Sequence, residues 1–187
     1  MITPTILLVL AHQGYQATEY GVTRSILENA GFIVKIASNR SGVAHSMPLG
    51  VSHPYDHVTV DIDISEVKAT DYQGIFLIGG SGTLQALDTV IVHKFMNDAH
   101  ANNIIIGAIC IAPRILAKAG ILANKSATGW DGDHKLESLL KKYKVKYLNK
   151  PVIVDGIIIT AKDPFAAEEF GKTIVEMVKA HLQQHNG

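Results

Sequence analysis

Short apolar runs alternate along this chain with segments of helical periodicity, and this alternation constrains the fold more than any other feature. A strand that is apolar over its whole length is buried on both faces, as in a parallel sheet covered by helices. Residues 5–10, 75–80 and 104–109 have this character, and residues 32–38 form a fourth, more mixed run. The pattern predicts an α/β fold in which a mostly parallel sheet lies between two layers of helices.

Helices are predicted between and after these strands from the spacing of apolar residues. They cover residues 18–30, 83–102, 112–119 and about 134–144, followed by a C-terminal helix with an apolar stripe of Phe170, Ile174, Val178 and Leu182. The segment VIVDGIIITA is predicted to be a hairpin that turns on Asp155 and Gly156. Residues 39–55 are predicted to be a surface excursion with a small hairpin. Because there is no repeat or low-complexity linker, we expect a single domain over residues 1–187.

The charge composition disfavours several classes of partner. Lysine plus arginine and aspartate plus glutamate each number 17, so the formal net charge is zero. Nucleic acids and anionic membrane surfaces need a basic footprint and are therefore disfavoured, whereas zero net charge favours self-association. The chain has one cysteine, no basic leader region and no apolar run near the roughly 20 residues that cross a bilayer. We expect a cytoplasmic protein.

The single cysteine, Cys110, stands where the run IIIGAI ends and the helical pattern APRILAKAG begins. Pro113 suits the first turn of a helix, so the strand must reverse into the helix within one or two residues. Ala108 and Ala112 flank the cysteine, as small residues flank the nucleophile in a strand–turn–helix elbow. A free cysteine is often only a small buried hydrophobe, but this context favours a reactive thiol.

The position of Cys110 before a helix also predicts its electrostatic surroundings. A helix N-terminus favours a thiolate, so we expect a pKa below the free value of about 8.5. The backbone N–H groups of Gly80, at another strand end, and of Ile111 are candidates for binding an oxyanion.

The first predicted helix carries a carboxyl group on its apolar stripe. The apolar residues of that stripe are Val22, Ile26, Leu27 and Ala30. Glu19 stands one turn earlier on the same face, next to the sheet edge where Cys110 is predicted to lie. Burial and a neighbouring thiolate would raise its pKa, and the two groups would titrate as a coupled pair. The alternative is an exposed Glu19 that only adds favourable negative charge to the first helical turn.

Three other patterns have simpler structural explanations. His53 and His57 have the spacing of a helical metal pair, but Pro54 opposes a helix there. The glycine-rich turn at residues 79–82 lacks the G-x-G-x-x-G spacing of a dinucleotide site. The run KLESLLKKYK is typical of a solvated amphipathic helix. We therefore expect no metal and no cofactor.

The motifs resemble those of the ThiJ/PfpI superfamily, which includes the parkinsonism-associated DJ branch and intracellular protease I. The likeness runs from TILLVLA and LENAGF through IFLIGGSG, GAICIAPRILAKAGIL and KSATGW to VIVDGIIITAKDPFAAEEF. It implies a flavodoxin-like three-layer α/β/α sandwich, similar to class I glutamine amidotransferases, and a homodimer with active sites near the interface. It also implies that Cys110 is the reactive cysteine, that Glu19 is its acidic partner, and that the backbone of Gly79 and Gly80 helps to form the oxyanion site.

The chain departs from the family pattern around the cysteine. Many hydrolase-like members have histidine directly after the cysteine, where this chain has Ile111, so the Cys–His dyad of a peptidase is absent from its usual place. Other members have a histidine just after the segment that corresponds to SAT, where a glycine and Trp130 stand here. His12, His134 and Trp130 are the accessory candidates, although each histidine also has an ordinary structural explanation. Asp163 and Pro164 replace the family's Gly-Pro at the pocket rim.

We therefore expect a cysteine-dependent enzyme that acts on small reactive carbonyl compounds by glyoxalase-, deglycase- or hydrolase-like chemistry. Cys110 would be the nucleophile and Glu19 its proton-handling partner, and the predicted partner is a small-molecule carbonyl substrate. Three alternatives stay open. They are a redox sensor or stress-protective protein in which Cys110 is oxidised without turnover, an intracellular cysteine peptidase, and a dimeric binding module without catalysis.

Overall fold

A computed structural model describes residues 3–48 and 56–185 of the chain. Within these residues the strands are β1 (Thr5–Leu10), β2 (Gln13–Tyr15), β3 (Ile33–Ser38), β4 (Gly42–Ser46), β5 (His57–Val60), β6 (Ile62–Asp63), β7 (Gly74–Leu77), β8 (Ile105–Ile109), β9 (Ser126–Ala127), β10 (Lys146–Tyr147), β11 (Val152–Asp155) and β12 (Ile158–Ala161). The α-helices of the same residues are α1 (Ala17–Asn29), α2 (Thr83–Leu87), α3 (Val90–Ala101), α4 (Pro113–Lys118), α5 (Leu136–Lys142) and α6 (Ala167–His185).

One central sheet has the strand order β11-β12-β8-β7-β1-β3-β6. Its neighbouring strands are parallel except for β11 and β12, which form the antiparallel hairpin predicted around Asp155 and Gly156. The predicted strands of residues 5–10, 32–38, 75–80 and 104–109 all belong to this sheet. The mostly parallel α/β architecture is therefore confirmed.

Helices cover both faces of the central sheet. Successive side chains of β1 point to opposite faces. Ile6, Leu8 and Leu10 pack in a core with residues of α1 and α6, whereas Leu7 and Val9 pack in a second core with residues of α3, α4 and α5. This two-sided burial is the reason why the strand is apolar along its whole length.

The buried faces of two helices follow the predicted stripes only in part. In α6 the residues Phe170, Ile174 and Val178 are fully buried, as predicted. In α1 the predicted stripe is rotated, because Val22, Ile26 and Ala30 are half-buried. The fully or nearly fully buried positions of α1 are Ala17, Glu19, Tyr20, Thr23 and Leu27. Ile26 instead packs closely against Gly171 of α6, so one side of α1 faces a helix and another faces the sheet.

Residues 83–102 form two helices instead of the single predicted helix. The helix α2 ends at Leu87 and α3 begins at Val90. Thr89 has an extended backbone, and its hydroxyl accepts a hydrogen bond from the Val92 N–H at 3.3 Å, so it caps α3. The Thr89 hydroxyl thus provides an acceptor for an N–H group of the first turn of α3. This favours a break between α2 and α3, although the spacing of apolar residues continues across it.

The hairpin predicted within residues 39–55 is larger than expected. The strand β4 pairs with β5 in antiparallel orientation, and β2 pairs with β4 to complete a small three-stranded sheet. Residues 49–55 lie outside the described residues, and the prediction for them stays a prediction. Among the described residues, no helix is both long enough and apolar enough to span a bilayer.

Candidate functional site

Cys110 lies at the carboxyl edge of the central sheet, where three neighbouring parallel strands end. It follows the last residue of β8, and β1 and β7 end beside it at Leu10 and Leu77. Leu77 pairs with Ala108 across the β7–β8 ladder, so Gly79 lies level with Cys110. This is the edge at which open α/β sheets bind ligands.

The cysteine occupies a sharp turn with a left-handed backbone. Cys110 has a φ of 65°, a conformation that residues other than glycine rarely adopt. Its N–H donates to the carbonyl oxygen of Ala161 at 3.0 Å, and Pro113 opens α4 three residues later. The residue is 9% exposed. The chain thus passes from strand to helix within the few residues that the predicted elbow requires.

Two glycines make the close approach to Cys110 possible. A Cβ atom on Gly79 would lie 2.6 Å from both Cys110 Cβ and Glu19 Oε2, so any side chain there would push these two groups away. Gly80 has a φ of 130°, and a Cβ atom on it would lie 2.2 Å from the carbonyl oxygen of Gly14. Packing explains the first glycine, and backbone conformation together with packing explains the second.

Glu19 reaches the cysteine from the first turn of α1. Gln16 caps this helix, because its side-chain oxygen accepts a hydrogen bond from the Glu19 N–H at 3.2 Å. The Gln16 N–H donates to the carbonyl oxygen of Gly79 at 2.9 Å, which ties α1 to the turn after β7. Glu19 is fully buried, and its Oε2 accepts a hydrogen bond from the Gly79 N–H at 2.9 Å. Its Oε1 is also buried and has no well-aligned hydrogen-bond partner among the described residues.

Burial dominates the titration of Glu19. The loss of water raises the pKa of Glu19 from 4.5 to about 7, although interactions with Cys110 and the Gly79 N–H oppose the rise. The charge of Asp163 raises the pKa further. The direction is the one that the sequence predicts. A carboxyl group with this pKa exchanges its proton near neutral pH and, when protonated, can donate to the sulfur.

The thiol itself departs from the sequence-based expectation. Burial and then the Glu19 carboxylate raise the pKa of Cys110 far above its usual range, and the N–H groups of Ile111 and Gly80 oppose this with smaller effects. The prediction of a lowered pKa is therefore wrong, because α4 is only six residues long and the sulfur is dehydrated beside an acid. Since Glu19 contributes strongly to the rise, the thiol ionises most readily while Glu19 keeps its proton.

The two backbone donors predicted to bind an oxyanion both act on the Cys110 thiol. The N–H groups of Gly80 and Ile111 each lower its pKa, although burial outweighs them. In this arrangement they favour a thiolate, or an oxygen atom attached to the sulfur. Their role toward a substrate oxyanion stays a prediction.

Of the three accessory candidates, only Trp130 has a described hydrogen bond to Cys110. The Trp130 N–H donates to the Cys110 carbonyl oxygen at 2.7 Å, and its side chain packs against the buried cluster that contains Cys110. His12 Nε2 lies 3.2 Å from the carbonyl oxygen of Ser41, on the side of β4. His134 is exposed, and its backbone N–H donates to the backbone carbonyl oxygen of Asp131 at 2.9 Å.

The sequence analysis missed an ion pair beside the elbow. Arg114, the second residue of α4, is 4% exposed. Its Nη1 and Nη2 donate to the two carboxylate oxygens of Asp133 at 2.9 and 2.5 Å, and Nη2 also donates to the carbonyl oxygen of Trp130 at 3.2 Å. The guanidinium holds the pKa of Asp133 down at about 2. The sequence held one signal for this ion pair. Arg114 is a charged residue between Pro113 and Ile115 in a helix start that is otherwise apolar.

Metal ligation finds no support in the described part of the chain. In residues 3–48 and 56–185, no group of three or more histidine, cysteine, aspartate or glutamate side chains could hold a metal ion. His57 is exposed at the start of β5. His53 lies outside the described residues, so its relation to His57 is not tested.

Comparisons with known proteins identify the family and the fold of the chain. A model of the DJ-1/PfpI family matches residues 4–177. An uncharacterised protein of Methanocaldococcus jannaschii is 31% identical over 176 residues, which cover 93% of this chain and 82% of that protein. A Caenorhabditis elegans protein named glutathione-independent glyoxalase is 25% identical over 122 residues, which cover 65% of this chain and 63% of that protein.

A solved structure shares the fold. The crystal structure of a ThiJ/PfpI domain protein from Brachyspira murdochii superposes with a TM-score of 0.87 at 27% identity, over 96% of this chain and 99% of that one. The family match covers nearly the whole chain, and the topology agrees with that of a solved relative. The chain belongs to the DJ-1/PfpI family.

Proposed function

We propose that this protein is a cysteine-dependent enzyme that acts on small reactive carbonyl compounds, with 2-oxoaldehydes as the favoured class. The observation that carries the proposal is the placement of Cys110, on a left-handed turn, and Glu19, a fully buried carboxyl group, side by side at Gly79. With a pKa of about 7, Glu19 can give and take a proton in turn. Membership of the DJ-1/PfpI family and a relative named as a glyoxalase support the same reaction class.

The proposed chemistry uses these two groups in sequence. The Cys110 sulfur adds to the aldehyde carbon, and the thiol proton ends on the former carbonyl oxygen to give a hemithioacetal. The hydrogen on that carbon then moves as a proton to the neighbouring ketone carbon through an enediol, so the first carbon is oxidised and the second is reduced. Water hydrolyses the resulting thioester, which releases a 2-hydroxy acid and restores the thiol. Glu19 carries protons in these steps, and the Gly80 and Ile111 N–H groups stabilise the oxyanion.

The direct test is the release of lactate from methylglyoxal by the wild-type protein and by Cys110→Ser and Glu19→Gln. We expect turnover by the wild type and a loss of roughly 100-fold or more in each variant. Glu28→Gln is a matched control, because Glu28 lies on the same helix but is exposed and paired with Arg24. It should keep wild-type activity. Turnover that survives in Cys110→Ser, or a wild-type protein inert toward a panel of 2-oxoaldehydes, would contradict the proposal.

A redox sensor is the second candidate, and one specific observation favours it. The Gly80 and Ile111 N–H groups lower the pKa of Cys110, so they would also stabilise a negatively charged oxygen added to its sulfur. Peroxide converts a thiol to a sulfenic and then a sulfinic acid, and each step adds one oxygen to sulfur and releases one water. Selective gain of two oxygen atoms on Cys110 under mild peroxide, seen by mass spectrometry in a protein without turnover, would support the sensor over the enzyme.

The remaining expectations rest on the sequence and, for the homodimer, on the family resemblance. A peptidase is less favoured, because Ile111 follows the cysteine and His134 is exposed. A homodimer, a single domain over residues 1–187 and a cytoplasmic location stay proposals. Light scattering of the purified protein tests the dimer, with a monomer at working concentration as the contrary result.

A further inference from the structure

We propose that Arg114 and Asp133 are positioning residues that, through Trp130, orient the backbone N–H of Ile111 toward the Cys110 sulfur. We call these three residues, Arg114, Asp133 and Trp130, the Arg114 clamp. The inference rests on the proposed function only in taking Cys110 as the reactive group of the site.

The link to the sulfur is a single peptide unit. The Trp130 N–H donates to the Cys110 carbonyl oxygen at 2.7 Å. This carbonyl and the Ile111 N–H belong to one planar trans peptide and point in opposite directions. Fixing the carbonyl oxygen therefore fixes the direction of the Ile111 N–H, the adjacent donor that favours ionisation of the Cys110 thiol. Gly129 keeps the approach close, because a Cβ atom there would lie 3.0 Å from the same carbonyl oxygen.

Arg114 holds Trp130 from the side of α4. Its Nη2 donates to the Trp130 carbonyl oxygen at 3.2 Å, and its guanidinium carbon lies 5.8 Å from the centre of the Trp130 ring. The guanidinium also binds both carboxylate oxygens of Asp133, and Asp133 Oδ1 accepts a further hydrogen bond from the Lys135 N–H at 3.2 Å. The loop of residues 130–135 is therefore fastened to the helix that begins at the elbow.

The clamp is poorly explained by stability alone. Arg114 is almost fully buried in the first turn of α4, where a positive charge opposes the helix dipole. Its Nε is buried and has no hydrogen-bond partner among the described residues. The Arg114 side chain is 5% exposed and that of Asp133 29%, and an apolar pair of similar volume is often at least as stable as an ion pair with so little access to water. The geometry that the pair imposes on the loop is the better explanation.

The test replaces both charges at once, in the double variant Arg114→Met with Asp133→Leu. We expect it to fold with a melting temperature that is unchanged or raised. Because the Ile111 N–H loses its fixed direction, we expect alkylation of Cys110 by iodoacetamide at fixed pH to slow roughly three- to tenfold, the equivalent of about half to one pKa unit. Trp130 is the only tryptophan of the chain, so a red shift of its emission and stronger quenching by acrylamide should report the loosened loop.

Controls separate positioning from general damage. Lys94→Met removes an exposed pair on α3, whose side chains are 79% and 55% exposed, and should change neither readout. Arg114→Lys keeps the charge but loses the two-pronged contact, so an intermediate alkylation rate is expected. If the double variant does not fold, Asp133→Asn keeps the side-chain shape and should show the same slowing.

The alkylation and fluorescence measurements test the clamp without any enzymatic turnover. An unchanged or faster alkylation rate in the folded double variant would overturn the clamp proposal. If the wild-type protein shows no activity on 2-oxoaldehydes, the proposed function fails, but the alkylation and fluorescence results still decide the role of the clamp. Where turnover is measurable, kcat should fall while KM stays unchanged, because the oriented N–H acts on the reacting group and not on substrate binding.

Discussion

Two carboxyl groups near Cys110 have opposite surroundings. Glu19 is fully buried, and dehydration raises its pKa to about 7. Asp133 is bound by the Arg114 guanidinium, which lowers its pKa to about 2. The comparison indicates that a neighbouring cation keeps the Asp133 carboxyl ionised, whereas burial without a cation lets Glu19 exchange its proton near neutral pH.

Breaking the compensated pair should have the largest effect on folding. Asp133→Ala leaves the guanidinium of Arg114 nearly buried without its carboxylate, and we expect the free energy of unfolding to fall by roughly 3 kcal/mol. Urea unfolding measures the loss. The control Asp98→Ala breaks the exposed pair with Lys94 and should change stability by less than about 0.5 kcal/mol. Equal losses in both variants would remove the distinction between the Arg114 pair and a surface pair.

The two carboxyl groups should also give stability opposite dependences on pH. Between pH 4.5 and about 7 the folded protein keeps the Glu19 proton that the unfolded chain releases. The free energy of unfolding therefore falls as pH rises through this window, by up to about 3 kcal/mol. For Asp133 the unfolded chain binds the proton more tightly between pH 3.8 and about 2, so stability is lost as pH falls.

Urea unfolding measured across this pH range checks both slopes. Glu19→Gln should abolish the loss of stability between pH 4.5, the unshifted value, and about pH 7, and leave the loss at acid pH in place. If the wild type and Glu19→Gln lose stability equally between these limits, the pKa of Glu19 is close to its ordinary value and the contrast with Asp133 disappears.

The fold was largely predictable because its strongest signals are local. Apolar runs buried on both faces identify the parallel strands, and Asp155 with Gly156 identifies the antiparallel hairpin of β11 and β12. The break between α2 and α3 was not predicted, because the apolar period continues across it and only the cap at Thr89 marks the boundary. Starting a new helix at the Thr89 cap and continuing the previous helix differ by only a small free energy. The spacing of apolar residues alone does not decide between them.

In the candidate site, too, local features were predictable from the sequence and long-range contacts were not. Cys110 and Glu19 could be proposed as a pair from sequence, because a proline after a strand and an acid in an apolar helix are visible in neighbouring residues, although the buried face of that helix is rotated from the predicted one. The Arg114 clamp joins residues 19 positions apart and needs tertiary contact to be seen. The direction of the Cys110 pKa shift also depends on how far the sulfur is dehydrated beside Glu19, and sequence carries no measure of that burial.

The smallest predicted effect separates proton handling by Glu19 from activation of the thiol. At about pH 8 wild-type Glu19 is ionised and its charge opposes the thiolate, so Glu19→Gln should be alkylated faster than the wild type, by roughly tenfold or less. At about pH 6 Glu19 is mostly protonated and the two proteins should react at similar rates. Iodoacetamide kinetics measure both, and Glu28→Gln should follow the wild type throughout. Slower alkylation of Glu19→Gln at the higher pH would instead show that the Glu19 carboxylate activates the thiol as a base. The burial of Glu19 without a cation would then not be explained by proton exchange near neutral pH.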